Sequence, residues 1–212
     1  FRTALLNWLA GGDAAVFRDS METIRENYPP FAFYGAMNFL GTHDTARILT
    51  LLAGEPVPES KSQRAAACLS PTGYRRAAAR LRLGALLLYA FPGSPTVYYG
   101  DEAGMQGYED PLNRRTYPWG REDKEILGFF RHLGRLRRER EELRLGSIRF
   151  FAAGDKHLGF IRSYEGKVCK VYVNRSGDPW EVEPGKVLLG RLLDTVVYDR
   201  LVLGPRGFCI VE

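Results

Sequence analysis

The sequence predicts two regimes in one chain: an α/β part to about Leu145, then an all-β part to Glu212. Three observations carry this. Before residue 145, apolar residues recur at helical spacing, as Phe17, Met21, Ile24 and Tyr28 do. Two short apolar runs in the same part end in glycine followed by titratable residues: NFLGTHD at 38–44 and TVYYGDE at 96–102. After Gly146 the pattern becomes short β-branched and aromatic runs separated by Gly, Asp, Asn and Pro, the spacing of an antiparallel sandwich or barrel.

Taken in order, residues 1–9 read as a helix or its tail, stopped at Gly11-Gly12. Asp13 caps the next helix, and Pro29-Pro30 ends it. A buried strand at 38–40 follows, then a short helix within 45–52. Residues 54–73 read largely as loop, because Gly, Pro, Ser and Lys accumulate there. Ser70-Pro71 opens a helix whose inner side carries Tyr74, Ala77, Leu81, Ala85 and Leu88. From Gly84 to Ala90 it is apolar nearly all round, so that end is expected to be buried. Phe91-Pro92-Gly93 stops it, and 96–99 reads as a second buried strand with Tyr98 and Tyr99 in the core. A loop runs to Trp119, and Glu122 or Asp123 caps a last helix to about Arg140. Strands are then expected at 147–151, 158–164, 168–174, 186–189, 196–201 and 208–211.

Composition excludes several classes. A chain of 212 residues that is 45% hydrophobic and 12% aromatic supports a core and is not disordered. Cys68, Cys169 and Cys209 form no CxxC pair, and His43, His132 and His157 have no metal-ligand spacing, so neither a disulfide framework nor a zinc site is expected. No apolar stretch is long enough to span a bilayer; no membrane partner and a cytoplasmic location are the expectations. The net charge of +5 is concentrated at 131–144 (RHLGRLRREREELR). That run reads as the solvated face of an amphipathic helix and has no nucleic-acid motif beside it, so no nucleic-acid partner is expected. The α/β part shows only two strands, too few for a parallel sheet with covered faces. With Phe1 as its first residue, the chain reads as a fragment of a longer protein.

The candidate chemistry is at His43 and Asp44. They follow a strand at once, and in parallel α/β folds ligands bind at the carboxyl ends of strands. Adjacent strand residues point to opposite faces. Gly41 lets the backbone leave the strand first, so both side chains can serve one site. A lone His-Asp dipeptide is also a common turn; the second run at 91–102, with the same punctuation, is what adds weight.

At these residues the chain resembles the alpha-amylase family of glycoside hydrolases (family 13), in its neopullulanase- and cyclomaltodextrinase-like members. NFLGTHD is similar to the family's fourth signature region, and HDTAR to the variant found in that subgroup. PGSPTVYYGDEAGM, at 92–105, is similar to the segment around the eighth barrel strand, and EDPLNRRTYPW, at 109–119, to the loop that follows. The resemblance implies that residues 1–145 are the last part of a (β/α)8 TIM barrel and 146–212 a carboxyl-terminal antiparallel β-sandwich. It implies a retaining alpha-glucan hydrolase acting on starch, maltooligosaccharides, cyclodextrins or pullulan. Asp44 would be the acid that stabilises the transition state by gripping sugar hydroxyls, with His43 donating to the same sugar. Arg47, Asp110 and Arg114 would bind substrate; Asp101 and Glu102 would hold the loop. The nucleophile and general acid would lie upstream of Phe1, on the preceding part of the barrel, and the 212-residue chain alone would be inactive. No metal or other cofactor is expected in this chain; calcium upstream and homo-oligomer formation stay open. The alternative is a non-catalytic carbohydrate-binding or partner subunit derived from the same fold.

Overall fold

A computed structural model of the chain describes residues 1–197 and 200–212. Helices α1 (Arg2–Ala10), α2 (Ala14–Asn27) and α3 (Pro30–Gly35) lead into strand β1 (Met37–Phe39). Then come α4 (Ile48–Ala53), α5 (Lys61–Ala66) and the long α6 (Pro71–Ala90), which returns the chain to β2 (Ser94–Thr96). β1 and β2 pair in parallel, Met37 opposite Ser94 and Phe39 opposite Thr96. Helices α7 (Lys124–Glu139) and α8 (Glu141–Leu145) close this part.

The helix starts follow local chemistry. Asp13 accepts a hydrogen bond from the Ala15 N–H, Ser70 from Gly73, and Asp123 from Glu125 and Ile126, each satisfying an orphan donor of a first turn. Pro30 and Pro71 occupy first-turn positions, where their lack of an N–H costs nothing. Thus Pro30 opens α3 as well as closing α2, a helix not expected from the sequence. The expected loop at 54–73 likewise contains α5. It has no apolar face and is set up by a capping box between Ser60 and Gln63.

The second strand lies two residues earlier than expected. Gly93, at φ +104, turns the chain, and the Ser94 N–H bonds to Ala36 O at 2.8 Å, so pairing begins there. Tyr98 and Tyr99 therefore stand beyond the strand, and Tyr99 is exposed rather than in the core.

From Ser147 the chain forms one antiparallel sheet: β3 (Ser147–Ala153), β4 (His157–Tyr164), β5 (Lys167–Asn174), β6 (Trp180–Val182), β7 (Val187–Val197) and β8 (Arg200–Val211). β8 is its hub. It pairs with β5 near its end, with β6 near its start, and with β7 along its length. β6 was not expected, and β7 and β8 are longer than the short runs the glycines suggest. Irregular register absorbs those breaks, with shifts between Val187 and Leu189 and between Arg191 and Leu193. In the expected strand at 196–201, Tyr198 and Asp199 lie outside the described residues.

One hydrophobic core runs from α1 and α6 into β4 and β5. Phe91, just past α6, stands among the rings of Phe1, Phe17, Phe33, Phe150 and Phe160, with centroids 5.3–6.3 Å away. Such a cluster adds edge-to-face attraction to burial. Two buried arginines serve the last carbonyls of α6, which have no helical partner. Arg162 of β4 donates to Ala90 O and, at 2.8 Å, to Gly146 O. Arg137 of α7 donates to Tyr89 O and, in the turn beyond, to Phe91 O at 3.0 Å and to Gly93 O. The expectation of a wholly solvated basic face at 131–144 is therefore corrected at Arg137, which is buried; carbonyl acceptors replace the water it gives up.

Candidate functional site

The site is built where β1 ends. Leu40 is buried, and its carbonyl accepts from Arg2 Nε at 2.6 Å. Gly41 follows, where an added Cβ would run into Oδ2 of Asp101 and force that buried carboxyl to shift. The chain then turns through 42–45, with the Asp44 N–H 3.3 Å from the Thr42 hydroxyl and the Thr45 N–H 3.4 Å from Thr42 O. Asn113, fully buried in the loop after β2, clamps this turn. Its Nδ2 donates to His43 O at 2.7 Å and to Thr45 O at 2.8 Å. The Arg47 N–H to Gly107 O bond, at 2.8 Å, ties the two loops again one step later.

With the backbone held, His43 and Asp44 project outward, their side chains 62% and 72% exposed. His43 Nε2 is 3.1 Å from Asp44 Oδ1. The same Asp44 oxygen lies 4.0 Å from Arg114 Nη2, and Arg114 Nε is 2.7 Å from Asp110 Oδ1. Four of the five residues singled out in the sequence thus form one open chain of alternating nitrogen donors and carboxylate acceptors. Exposed pairs of this kind stabilise a fold by ~1 kcal/mol or less. Their donors and acceptors stay accessible, which is the chemistry needed to meet a hydroxyl-rich ligand.

The fifth residue, Arg47, is elsewhere. It is buried beneath the turn, so the structure places it behind the face, away from the open surface where a sugar would contact it. Its Nη1 donates to Tyr99 O and lies 3.3 Å from Asp101 Oδ1. The guanidinium carbon is 4.4 Å from the Tyr98 ring centroid and 4.6 Å from that of Tyr99. Ring faces attract a cation, and here they replace part of its lost hydration. Burial pushes the Asp101 carboxyl up to about 7, against the opposing pull of Arg47. A perturbed carboxyl often marks catalysis, but Asp101 is buried against Gly41 and Arg47, and its contacts give it a supporting role. Glu102 accepts from the Gly100 N–H at 2.8 Å and so braces the same turn.

Sequence reasoning passed over Asn113 and Trp119. Asn113 carries no local signal, because its partners lie about seventy residues away in the chain. Trp119 is 80% exposed, with the Tyr117 ring 4.6 Å from its own, an aromatic surface on the loop that holds Asn113 and Arg114. Among the described residues, no group of three or more His, Cys, Asp or Glu is placed to hold a metal ion, and no helix is long and apolar enough to cross a membrane.

No protein-family model matches the chain. An amylopullulanase of Thermoanaerobacter thermohydrosulfuricus is 39% identical over 181 residues, covering 80% of this chain and 12% of that protein. A cyclomaltodextrinase of Geobacillus thermopakistaniensis is 30% identical over 214 residues, covering 98% of this chain and 33% of the relative. The chain thus spans a third or less of the length of these two relatives. Among solved structures, a cyclic alpha-maltosyl-(1→6)-maltose hydrolase of Arthrobacter globiformis superimposes with a TM-score of 0.75 at 26% identity, over 99% of this chain and 42% of that one. Together with the placement of NFLGTHD at the end of a parallel strand, these relationships show that the chain belongs to the alpha-amylase family of glycoside hydrolases, among its neopullulanase- and cyclomaltodextrinase-like members.

Proposed function

We propose that the open face at His43, Asp44, Asp110 and Arg114 is the sugar-gripping wall of a retaining alpha-glucan hydrolase. Its substrates would be α-1,4- or α-1,6-linked glucans such as starch, maltooligosaccharides, cyclodextrins or pullulan. The observation that carries this is Asp44 itself: an exposed carboxylate at the carboxyl end of a parallel strand, fixed by a buried scaffold and flanked by two donors.

A retaining glycosidase passes through an oxocarbenium-like transition state, using a nucleophile and an acid/base about 5 Å apart. Both are assigned to a segment preceding Phe1. Asp44 accepts hydrogen bonds from ring hydroxyls that tighten as positive charge develops, and its own charge opposes that positive charge. His43 donates to the same sugar. Arg114, held by Asp110, orients Asp44 from the other side, and Asp110 contacts a sugar further along the chain of residues. Arg47 acts through Asp101 and the two tyrosines as a positioning residue.

In the same proposal, residues 1–145 complete a (β/α)8 barrel with that preceding segment, and the six-stranded sheet is the carboxyl-terminal sandwich. Parallel sheets are normally covered on both faces by helices. Here two parallel strands stand alone among the described residues, with Phe31 and Met37 exposed beside them. The intact protein is expected to release reducing ends from at least one of starch, pullulan and cyclodextrin, with the α-anomer appearing first by proton NMR. No release from any of the three, or initial β-anomer, would overturn the reading.

A further inference from the structure

Away from Asp44, on the side where α6 meets the sheet, two adjoining cavities are lined by arginine. The first, about 200 Å³, has Arg76 and Arg80 of α6, Arg175 after β5 and Arg206 of β8, with Leu9 and Leu83 as its apolar wall. The second, about 400 Å³, shares Ala79 and Arg206 with the first and adds Arg82, Arg191 and Phe208.

Like charges gathered in a partly buried space repel one another unless an anion offsets them. Here the offset is incomplete. Arg76 Nε bonds Ala53 O at 2.7 Å and Arg80 Nη1 bonds Leu52 O at 2.8 Å, which caps the carbonyl end of α4. Each of those contacts occupies one of the five guanidinium N–H groups. Arg175 Nη2 reaches Gly12 O at 2.6 Å and lies 3.8 Å from Asp155, whereas its buried Nε has no acceptor among the described residues. Arg82 has a carboxylate partner, Glu125, at 2.9 Å. The acids therefore sit at the edges, on Arg175 and Arg82. Burial, reinforced by the charges of Arg76, Arg206 and Arg175, lowers the Arg80 pKa.

We propose that these cavities form an anion site for a phosphate group, either free or carried by a small ester. Guanidinium forks match phosphate oxygens in pairs. The smaller cavity suits the phosphate, and the larger one suits the body of an ester. This inference does not depend on the glycosidase reading.

The test is isothermal titration calorimetry on the intact protein at fixed ionic strength, with inorganic phosphate and with glucose 6-phosphate as probes. Saturable one-site binding of at least one probe is expected, weakened tenfold or more by Arg206→Gln. Arg206 is exposed. An unchanged melting temperature without phosphate checks that the variant is folded. Tighter binding of the ester, with the gain lost in Arg191→Gln, assigns the site to phosphate esters; equal affinities assign it to free phosphate. Absence of saturable binding of both probes, or wild-type affinity in folded Arg206→Gln, overturns the proposal.

Discussion

Two arginine–aspartate pairs flank the turn that carries Asp44, and they differ in surroundings more than in chemistry. Arg114–Asp110 closes to 2.7 Å, with side chains 47% and 61% exposed. Arg47–Asp101 is longer, at 3.3 Å, with side chains 0% and 4% exposed. Distance alone ranks the first pair as stronger; solvent reverses the ranking. Water competes for every bond of the exposed pair, so it adds little to stability and remains available to a ligand. Nothing competes inside, so losing one partner strands the other as a buried charge. In the proposed site the same residue types would serve recognition on one side of the turn and positioning on the other.

The largest expected stability effect breaks the inner pair. At a pH well above 7, where Asp101 is ionised, Arg47→Ala should cost about 3–5 kcal/mol in denaturant unfolding, because a buried carboxylate would be left unpaired against Gly41. The double variant Arg47→Met/Asp101→Leu should recover most of that loss, since an apolar pair carries no desolvation penalty. A cost below ~1 kcal/mol for Arg47→Ala would put its guanidinium in water and erase the contrast.

A pH series sharpens the same contrast. Asp101 holds its proton up to about pH 7 in the fold, against about 3.9 in an unfolded chain. A group whose pKa is raised by folding stabilises fully below its unfolded value, and that stabilisation is lost as the pH rises through the folded one. The melting temperature should therefore lose a component between about pH 4 and pH 7. Asp101→Asn should lack that component. An identical slope in wild type and variant would mean that Asp101 is solvated.

The smallest expected stability effect is at the surface. Arg114→Gln should change unfolding free energy by less than ~1 kcal/mol, while raising KM for maltooligosaccharides in the intact protein if the proposed function holds. A large loss of stability with KM unchanged would make Arg114 a scaffold residue like Arg47.

What could be read from the chain depended on how far apart the partners lie. Asp13 and Ser70-Pro71 were legible as helix starts, and Asp123 as one of two candidates with Glu122, because a cap and its target are two or three residues apart. The NFLGTHD turn was legible because Gly41 marks the exit from the strand, although the group a larger side chain would displace there, Asp101, is far downstream. Arg47 was expected at the substrate because its motif adjoins Asp44. Its burial depends on Tyr98, Tyr99 and Asp101, which reach it only after α6 brings β2 beside β1. Arg137 misled in the same way: its basic neighbours point to solvent, while the carbonyls that take it inside belong to α6 and the turn after it. In the sheet, Gly190 and Gly204 read as breaks, yet the ladder of β7 and β8 continues past them with shifted register.

The most direct measurement of the central claim is turnover of Asp44→Asn in the intact protein on a maltooligosaccharide, with the melting temperature of the same sample alongside. Hydrogen bonds that tighten in the transition state supply several kcal/mol, so kcat should fall by about a thousandfold, equivalent to ~4 kcal/mol. The melting temperature should stay at the wild-type value, because an exposed carboxylate adds little to the fold. Near-normal turnover with an intact fold would contradict the account and remove Asp44 from the chemistry.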